Sequence, residues 1–347
     1  MEVKSETINR LIKERIKADG SVSAGNNRTL TLSQDEIRQF APNILAGDEN
    51  IPQDLTNKTV NGSMLDVCKK IKEHSVDLLF LDPPYNISKM YGDTKFSEQK
   101  NAEYIKTFEK WILACLPLLK KTASVYVCSD WKTSAIIQPV LSKYFYVRNR
   151  ITWERNKGRG SKNNWKNCSE DIWYATVSND FYFDVDAVKV KRKVVAPYKD
   201  ENGDAKDWTS DEDGKFRFTC PANFWSDITI PYWSMPENTD HPTQKPEKLV
   251  AKVLLASSKE NDMVLDPFLG SGTTSVVAKK LNRRYIGIEQ EVQYCLYAEK
   301  RLKLADSEQG IQGYEDGIFW ERNSQPKKGA NSTEYLQNLI NLGDAEA

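Results

Sequence analysis

The sequence has very few of the residues that build metal sites. It contains two histidines and six cysteines, and no two cysteines are spaced as CxxC. A zinc site is therefore not expected, and reduced thiols in a cytoplasmic protein are the simplest interpretation. No apolar run approaches the ~20 residues that span a bilayer. The first residues are charged throughout, so neither a signal peptide nor a membrane partner is expected.

The overall charge does not indicate a nucleic-acid partner, because 49 basic residues balance 49 acidic ones. Charge is nevertheless uneven along the chain. Residues 143–166 contain eight cations and one acid, Glu154, with two tyrosines and two tryptophans among them. A second basic run, KVKRK, occupies residues 189–193. Such runs are often solvated faces, but aromatic residues among the cations favour phosphate contact and base stacking.

Short apolar runs alternate with amphipathic segments from residue 58 onwards. VDLLFLD, SVYVCS, DMVLD and RYIGIE have the pattern of buried strands, and helical patterns separate them. This alternation predicts an α/β fold with a doubly wound, mostly parallel sheet. We predict a catalytic domain at 58–310, an irregular insertion at 179–236, an N-terminal helical extension at 1–57 and a polar, peripheral C-terminal tail at 311–347.

The stretch LDPPYN places an acid, two prolines and an aromatic ring directly after the buried run at 76–81. Pro83 and Pro84 end the strand, because proline cannot donate a ladder hydrogen bond. Asp82 therefore lies at the carboxyl end of the strand, where open α/β sheets bind ligands. A strand terminator followed by a surface tyrosine would have the same composition, so this motif alone does not decide between structure and function.

A second motif, VLDPFLGSGTTSVVAKKLNRRYIGIE at 264–289, predicts a strand, a glycine turn, a helix and another strand. Gly270 and Gly272 allow a tight bend and a close approach to a ligand, beside the free N–H groups of the helix start. Glu289 follows Gly270 by nineteen residues. That offset suits a carboxylate that binds the hydroxyls of an adenosine ribose.

The glycine pattern also discriminates among nucleotide cofactors. F-x-G-x-G, in place of G-x-G-x-x-G, favours S-adenosyl-L-methionine over a nicotinamide dinucleotide. The chain has no GxxxxGK[ST], which excludes the usual triphosphate-binding loop. A structural helix-start turn is the simpler interpretation of a lone GxG, but the acid at the tip of the next strand favours a nucleoside-containing cofactor.

Three motifs follow one another along the chain, with the DPPY motif before the glycine motif: DPPY at 82–85, HPTQKP at 241–246 and DPFLGSGTT at 266–274. Over about residues 58 to 305 the chain resembles the β-group DNA amino-methyltransferases. The resemblance implies a Rossmann-like methyltransferase fold, S-adenosyl-L-methionine as cofactor without a metal, and DNA as substrate. The insertion at 179–236 corresponds to a target-recognition region. The family usually has Gly-Asp before the DPPY strand, whereas this chain has Gly62-Ser63, so one polar contact to the cofactor's adenine is not expected.

The resemblance implies that the DPPY motif binds an exocyclic amine. Asp82 and the carbonyl of Pro83 can each accept one hydrogen of the amine, which directs the nitrogen lone pair at the methyl carbon. Tyr85 supplies a stacking face for a base that has left the duplex.

The implied site residues form three sets. The catalytic set is Asp82, Pro83, Pro84 and Tyr85. The cofactor set is Asp266, Phe268, Gly270, Ser271, Gly272, Thr273, Thr274, Glu289, Thr243 and Lys245. The DNA-binding set is Arg148, Arg150, Arg155, Lys157, Arg159, Lys162, Lys166, Lys191 and Arg192.

We predict a site-specific N6-adenine methyltransferase of a restriction–modification system, with a cognate restriction endonuclease and a homodimer as further partners. N4-cytosine methylation is the nearest alternative, because the chemistry is the same on another amine. The family associates Asp-Pro-Pro-Tyr with adenine and Ser-Pro-Pro with cytosine. A non-catalytic DNA-recognition subunit with this fold is the alternative of another class.

Overall fold

The computed structural model describes residues 8–10, 27–92, 94–155, 162–195, 197–211 and 214–322. The α-helices bounded in these ranges are α1 (Gln34–Phe40), α2 (Met64–Val67), α3 (Asn101–Cys115), α4 (Trp131–Tyr144), α5 (Glu247–Ser257), α6 (Thr273–Lys280) and α7 (Val292–Leu304). The strands are β1 (Leu45–Ala46), β2 (Lys58–Asn61), β3 (Val76–Leu81), β4 (Lys89–Tyr91), β5 (Thr94–Phe96), β6 (Leu119–Ser129), β7 (Tyr146–Glu154), β8 (Ser169–Thr176), β9 (Val190–Lys193), β10 (Thr209–Asp211), β11 (Gly214–Thr219), β12 (Phe224–Trp225), β13 (Met263–Asp266), β14 (Arg284–Glu289), β15 (Tyr314–Glu315) and β16 (Ile318–Trp320).

Nine strands form the main sheet in the order β1-β2-β14-β13-β3-β6-β8-β7-β12. All neighbours pair in parallel except β8, which is antiparallel to both β6 and β7. The strands of the two sequence motifs are adjacent, because β13 pairs with β3 through Val264 opposite Leu78 and Leu265 opposite Leu79. The predicted mostly parallel sheet is therefore confirmed.

Helices cover both faces of this sheet. On one face α3 and α4 bury Phe108, Ile112 and Leu141 against Leu79 and Leu81 of β3. On the other face α5 and α6 pack on Leu78 and Phe80 of the same strand. Alternate residues of β3 thus serve two cores, which explains why residues 78–81 are all apolar.

The predicted insertion forms part of a second sheet, in the order β10-β11-β9-β16-β15. Its strands β15 and β16 come from the segment that was predicted as a peripheral tail. That prediction is wrong for residues 311–320, because Phe319 has 0% of its surface exposed and packs with α5. The segment FW in 319–320 pairs in parallel with β9, so apolar pairing outweighs the polar composition around it.

The N-terminal extension also contributes to the main structure. Helix α1 begins with a capping box, in which Ser33 and Glu36 exchange side-chain to backbone hydrogen bonds. Ile37 and Phe40 of α1 pack against α7. The predicted helix is thus present, but β1 extends the main sheet at its edge, so the boundary expected at residue 57 divides paired strands.

None of the helices within the described ranges is long and apolar enough to cross a membrane.

Gly272 is the N-cap residue of helix α6 and has a positive φ of 89°. A Cβ on this residue would lie 2.5 Å from the Cβ of Ala298 in α7. Real Cβ atoms do not approach that closely, so the glycine permits α6 to pack tightly on α7. Gly203 has nearly the same φ, +88°, but a Cβ there would meet nothing within 4 Å.

We expect Phe319→Ala to lower the free energy of unfolding by about 3–5 kcal/mol, because the ring is completely buried. Phe224→Ala is the matched control, since that ring is 54% exposed. Urea unfolding midpoints of the two variants test this. Equal losses would show that the residues after 310 are as peripheral as their composition suggests.

The two glycines separate backbone strain from steric overlap. We expect Gly203→Ala to cost about 1–2 kcal/mol of unfolding free energy from the left-handed conformation alone. Gly272→Ala should cost about 1–3 kcal/mol more, because α6 and α7 must move apart. Urea denaturation monitored by circular dichroism measures both. A Gly272 variant no less stable than the Gly203 variant would contradict the close packing.

Candidate active site

The parallel pairing of β3 with β13 brings the two sequence motifs to one edge of the sheet. Their loops open into a common cavity of about 230 Å³. The DPPY residues 82–85, the segment 243–245 and the glycine turn 268–271 all line it. Residues that are more than 180 positions apart in the sequence therefore face the same space, as the order of the motifs predicts.

The glycine turn is held against the acid at the end of β14. The Gly270 N–H donates to one oxygen of Glu289 at 2.8 Å, and the Glu291 N–H donates to the other oxygen at 2.8 Å. Gly270 has a φ of +55°, and a Cβ there would press on the His241 ring at 3.0 Å. Burial raises the pKa of Glu289 to about 7. The carboxylate keeps unused lone pairs that can accept from hydroxyl groups.

Asp266 at the end of β13 accepts hydrogen bonds from within the glycine turn. Its carboxylate accepts the Thr274 hydroxyl at 2.6 Å and the Phe268 N–H at 3.0 Å. Burial raises the pKa of Asp266 to about 7. These contacts tie the start of α6 to the end of the strand, so Asp266 and Thr274 fix the shape of the turn.

Aromatic and hydroxyl groups complete this part of the cavity. The Phe268 ring lies edge-to-face with Trp111, with 5.0 Å between centroids. The Ser271 hydroxyl is buried and has no hydrogen-bond partner among the described residues, although Ser271 lines the cavity. Thr273, in contrast, is engaged: its hydroxyl donates to the Lys245 carbonyl at 3.0 Å. The free hydroxyl of Ser271 is thus suited to a polar ligand group.

The HPTQKP segment reaches the DPPY motif through Lys245. The Lys245 ammonium donates to both oxygens of Asp82 at 2.7 Å and to the Tyr85 hydroxyl at 3.1 Å. Burial raises the pKa of Asp82. Burial would lower the pKa of Lys245, but the Asp82 and Glu170 carboxylates outweigh it and raise that pKa. Lys245 was predicted to bind the cofactor; its nearest partner is Asp82.

Two further groups hold this cluster, and both come from the antiparallel part of the sheet. Glu170 at the start of β8 lies 3.3 Å from the Lys245 ammonium and accepts the Tyr85 hydroxyl at 3.1 Å. Arg155 lies 2.6 Å from the other oxygen of Glu170. Burial would raise the pKa of Glu170, but Lys245 and Arg155 outweigh it and lower that pKa.

The rest of the DPPY motif is rigid. The Pro84 carbonyl accepts the Tyr104 hydroxyl of α3 at 2.8 Å. The ring of Tyr85 is 7% exposed and belongs to the apolar core that lies beneath the cavity. The loop between β3 and β4 therefore presents fixed groups to the cavity.

His241 packs between two tyrosine rings and has no apparent chemical role. Its ring lies 4.4 Å from the Tyr294 ring and 6.5 Å from the Tyr91 ring. Burial lowers the pKa of His241 to about 3. The neutral ring shapes the turn from His241 to Thr243, which places Thr243 at the cavity.

Several of the predicted DNA-binding residues are exposed to solvent. Strand β7 runs in the same direction as β3, so the chain leaves β7 at the edge that carries Asp82. Lys162 and Lys166 follow there and are exposed, beside Trp165, which is 96% exposed. Lys157 and Arg159 lie outside the described residues. The side chain of Arg150 is 58% exposed, and that of Arg192 is 42% exposed.

Two of these residues make contacts within the protein. Arg148 lies near the start of β7, at the opposite edge of the sheet, and its guanidinium donates to Thr176 and Asn179 and stacks over Phe181. Lys191 is buried, with its ammonium over the rings of Phe216 and Trp320 at 4.0 and 4.4 Å. Phosphate contact is therefore wrong for the buried Lys191; Arg148 is exposed, but it lies away from the edge that carries Asp82, and its contact with DNA stays a prediction. Each cation stabilises packed aromatic rings.

Glu170 and Trp111 are site residues that the motif analysis missed. Glu170 stands in EDIWYA, where two acids directly precede an apolar run in a buried strand, and that pattern is a signal for a paired buried carboxylate. Trp111 had no distinguishing signal, because a tryptophan in an amphipathic helix is ordinary core.

The described ranges contain no group of three or more histidine, cysteine, aspartate or glutamate residues that could hold a metal ion.

Comparisons with known proteins agree with this geometry. Residues 76–300 match the model of the N6_N4_Mtase family, described as DNA methylase. Type II methyltransferase M.HpaI of Haemophilus parainfluenzae is 32% identical over 72% of this chain and 74% of its own length. DNA adenine methyltransferase YhdJ of Escherichia coli (strain K12) is 33% identical over 71% of this chain and 82% of its own length.

Among solved structures, PvuII DNA methyltransferase (cytosine-N4-specific) matches with a TM-score of 0.54 and 16% identity, over 82% of this chain and 91% of that one. This likeness confirms the methyltransferase fold. The family match covers most of the chain between β3 and α7, and the predicted family and enzyme class are confirmed. The chain belongs to the N6/N4 DNA methylase family.

Proposed function

We propose that this protein is a site-specific DNA methyltransferase that transfers a methyl group from S-adenosyl-L-methionine to the N6 amine of adenine. The observation that carries the proposal is that Asp82 and the glycine turn 268–271 line one cavity together. DPPY, in place of Ser-Pro-Pro, and the similarity to a relative named as a DNA adenine methyltransferase support adenine.

The lining of the cavity fits the cofactor. Glu289 accepts the ribose hydroxyls, since its two oxygens keep free lone pairs beside the backbone N–H donors. Phe268 offers an apolar face to the adenine ring. Ser271 donates its otherwise unpaired hydroxyl, and Thr243 lines the side nearest to Asp82. Gly270 and Gly272 keep the backbone free of side chains, while Asp266, Thr273 and Thr274 maintain the turn.

The DPPY residues act on the amine. S-adenosyl-L-methionine supplies a methyl group made electrophilic by a sulfonium centre. Asp82 accepts one hydrogen of the adenine amine and the Pro83 carbonyl accepts the other, while Pro84 fixes the turn. This geometry directs the nitrogen lone pair away from the ring. As the bond from nitrogen to the methyl carbon forms, the bond from that carbon to sulfur breaks and leaves S-adenosylhomocysteine. The nitrogen becomes cationic, and Asp82 takes the proton that the nitrogen loses.

Tyr85 contributes a stacking face. A base in a duplex must leave the helix to reach the cavity, which costs a few kcal/mol. A base on an aromatic ring recovers about 1–3 kcal/mol of this. The Tyr85 hydroxyl is held by Asp82 and Glu170, so its ring is oriented before the base arrives.

DNA contacts come from exposed cations that follow β7 at the edge that carries Asp82 or lie on β7 and β9. Arg150, Lys162, Lys166 and Arg192 are the exposed candidates for phosphate contact. Residues 179–236 form the target-recognition region, which reads base edges. A homodimer, a cognate restriction endonuclease and a cytoplasmic location complete the proposal, as in restriction–modification systems.

Glu289 provides a test of the cofactor site. Its pKa of about 7 means that lowering the pH from 8 to 6 protonates a group that should accept ribose hydroxyls. We expect affinity for S-adenosylhomocysteine to fall over this interval. Glu289→Gln should weaken binding by about 10- to 100-fold at pH 8, since hydrogen bonds to a charged group contribute about 1.5–3 kcal/mol. Isothermal calorimetry at both pH values measures this.

The affinity of Glu289→Gln at the two pH values is the control for titration of other groups. Burial raises the pKa of Asp266 to about 7 as well, so the dependence on pH that remains in Glu289→Gln belongs to Asp266 or to other groups. Unchanged affinity of the variant at pH 8 would rule out Glu289 as the ribose ligand.

The reaction is tested with labelled S-adenosyl-L-methionine and bacterial genomic DNA that was amplified in vitro and is therefore unmethylated. We expect N6-methyladenine in the digested product. Asp82→Ala should lose transfer by at least about 1,000-fold yet still bind S-adenosylhomocysteine, because Lys245 keeps Glu170 as a partner. Asp306→Ala, an acid 47% exposed on the surface, is the control.

The product identifies the alternatives. N4-methylcytosine in place of N6-methyladenine would replace the adenine proposal with the cytosine reaction. Binding of DNA without any labelled product would favour the recognition subunit. Full activity in Asp82→Ala would exclude this carboxylate as the amine acceptor.

A further inference from the structure

Four charged side chains form a chain of ion pairs beside the DPPY motif. Two carboxylates, Asp82 and Glu170, alternate with two cations, Lys245 and Arg155. The side chains of Lys245 and Glu170 are each only 5% exposed, that of Asp82 is 17% exposed, and that of Arg155 is 33% exposed. The charges of the four groups balance, which is the condition for burying them.

Glu170 reaches this cluster because of its position on β8. It pairs with Trp153 of β7 in the sheet register. Its side chain lies on the same face as Ile172 and Tyr174, which belong to the core under the cavity. The neighbouring Asp171 points to the other face and accepts the Thr152 hydroxyl. A shift of one residue in β8 would remove the acid from the site.

Lys245 has two acidic partners that pull it in different directions. Its ammonium is 2.7 Å from both Asp82 oxygens and 3.3 Å from the Glu170 carboxylate. A lysine paired with Asp82 alone would neutralise that carboxylate more fully and so weaken it as an acceptor for the adenine amine. The second carboxylate shares the ammonium and so weakens its hold on Asp82.

We propose that Glu170 is a positioning residue for methyl transfer: it shares Lys245 with Asp82 and orients the Tyr85 hydroxyl, so that Asp82 stays available to the target amine. This inference rests on the proposed function. Glu170 does not touch the cofactor or the base; it acts through Lys245 and Tyr85. It lies on a strand that is far in sequence from DPPY, HPTQKP and DPFLGSGTT, so none of these three motifs includes it.

The groups around Glu170 determine the effect of pH. Among the described residues, the titratable and charged groups that face it are Asp82 and Tyr85 after β3, Lys89 and Tyr91 of β4, Cys128 of β6, Arg155 after β7, and Lys245 before α5. Burial raises the pKa of Asp82, and the Glu170 carboxylate adds to that rise. Without this charge, the pKa of Asp82 should fall.

Glu170→Gln keeps the volume of the side chain and removes its charge. We expect kcat to fall by about 10- to 100-fold, as for other misplaced catalytic groups. The KM for S-adenosyl-L-methionine and the calorimetric Kd for S-adenosylhomocysteine should stay within about twofold of wild type. The acidic limb of the kcat–pH profile should move to lower pH, a shift that loss of packing alone would not produce.

Glu170→Asp and Glu109→Gln are the comparisons. Glu170→Asp retains the charge, so it should recover part of kcat and leave the acidic limb near its wild-type pH. Should Glu170→Gln fail to fold, Glu170→Asp still tests the inference, because full wild-type kcat with the shortened acid would contradict positioning. Glu109→Gln removes an acid that pairs with Lys143 away from the cavity, and should behave as wild type.

The outcomes separate this inference from the proposed function. Wild-type protein without transfer activity would reject the proposed function itself. Active wild-type protein with an equally active Glu170→Gln variant would reject the positioning role alone. A parallel loss of cofactor affinity and unfolding free energy, with an unmoved pH profile, would show that Glu170 only stabilises the fold.

Discussion

Strands β3 and β13 pair in parallel, and this pairing places nearly every group of the site. Parallel neighbours end at the same edge of a sheet. Asp82 and Asp266 therefore emerge side by side, although the insertion and the helices α3, α4 and α5 lie between them in the sequence. The next strand, β14, ends with Glu289 at that edge. The catalytic loop, the glycine turn and the ribose-binding acid thus meet in one cavity, as ligand sites do in open α/β sheets.

Burial strengthens the electrostatics of this edge. Breaking a buried ion pair by removing one partner typically costs about 3–5 kcal/mol, so the four members of the Asp82 cluster hold one another in place. Asp266 and Glu289 have pKa values near 7 because burial disfavours their charge. Such groups reduce the stability of the folded chain as the pH rises from about 4 to 7. Burial of these groups thus lowers the stability of the folded chain, but it keeps the groups oriented before the ligands bind.

Local pattern predicted the sheet and the main contents of the cavity. The strands, Asp82, the glycine turn and Glu289 all follow from short motifs, because strand ends and positive φ angles are encoded over a few residues. Lys245 was found by its motif, but its contact with Asp82 depends on distant strands. Glu170 and Phe319 depend on which strands become neighbours, and Arg148 on which edge it occupies. These features are tertiary and leave little trace in local sequence.

The most direct test is a crystal structure with S-adenosylhomocysteine and a DNA duplex that contains the unmethylated target sequence of the enzyme. The account predicts the cofactor ribose on Glu289 and, in the same cavity, an everted adenine whose N6 lies within about 2.6–3.2 Å of Asp82. A cofactor bound in another pocket, or a target adenine that stays stacked in the duplex and out of reach of Asp82, would contradict it.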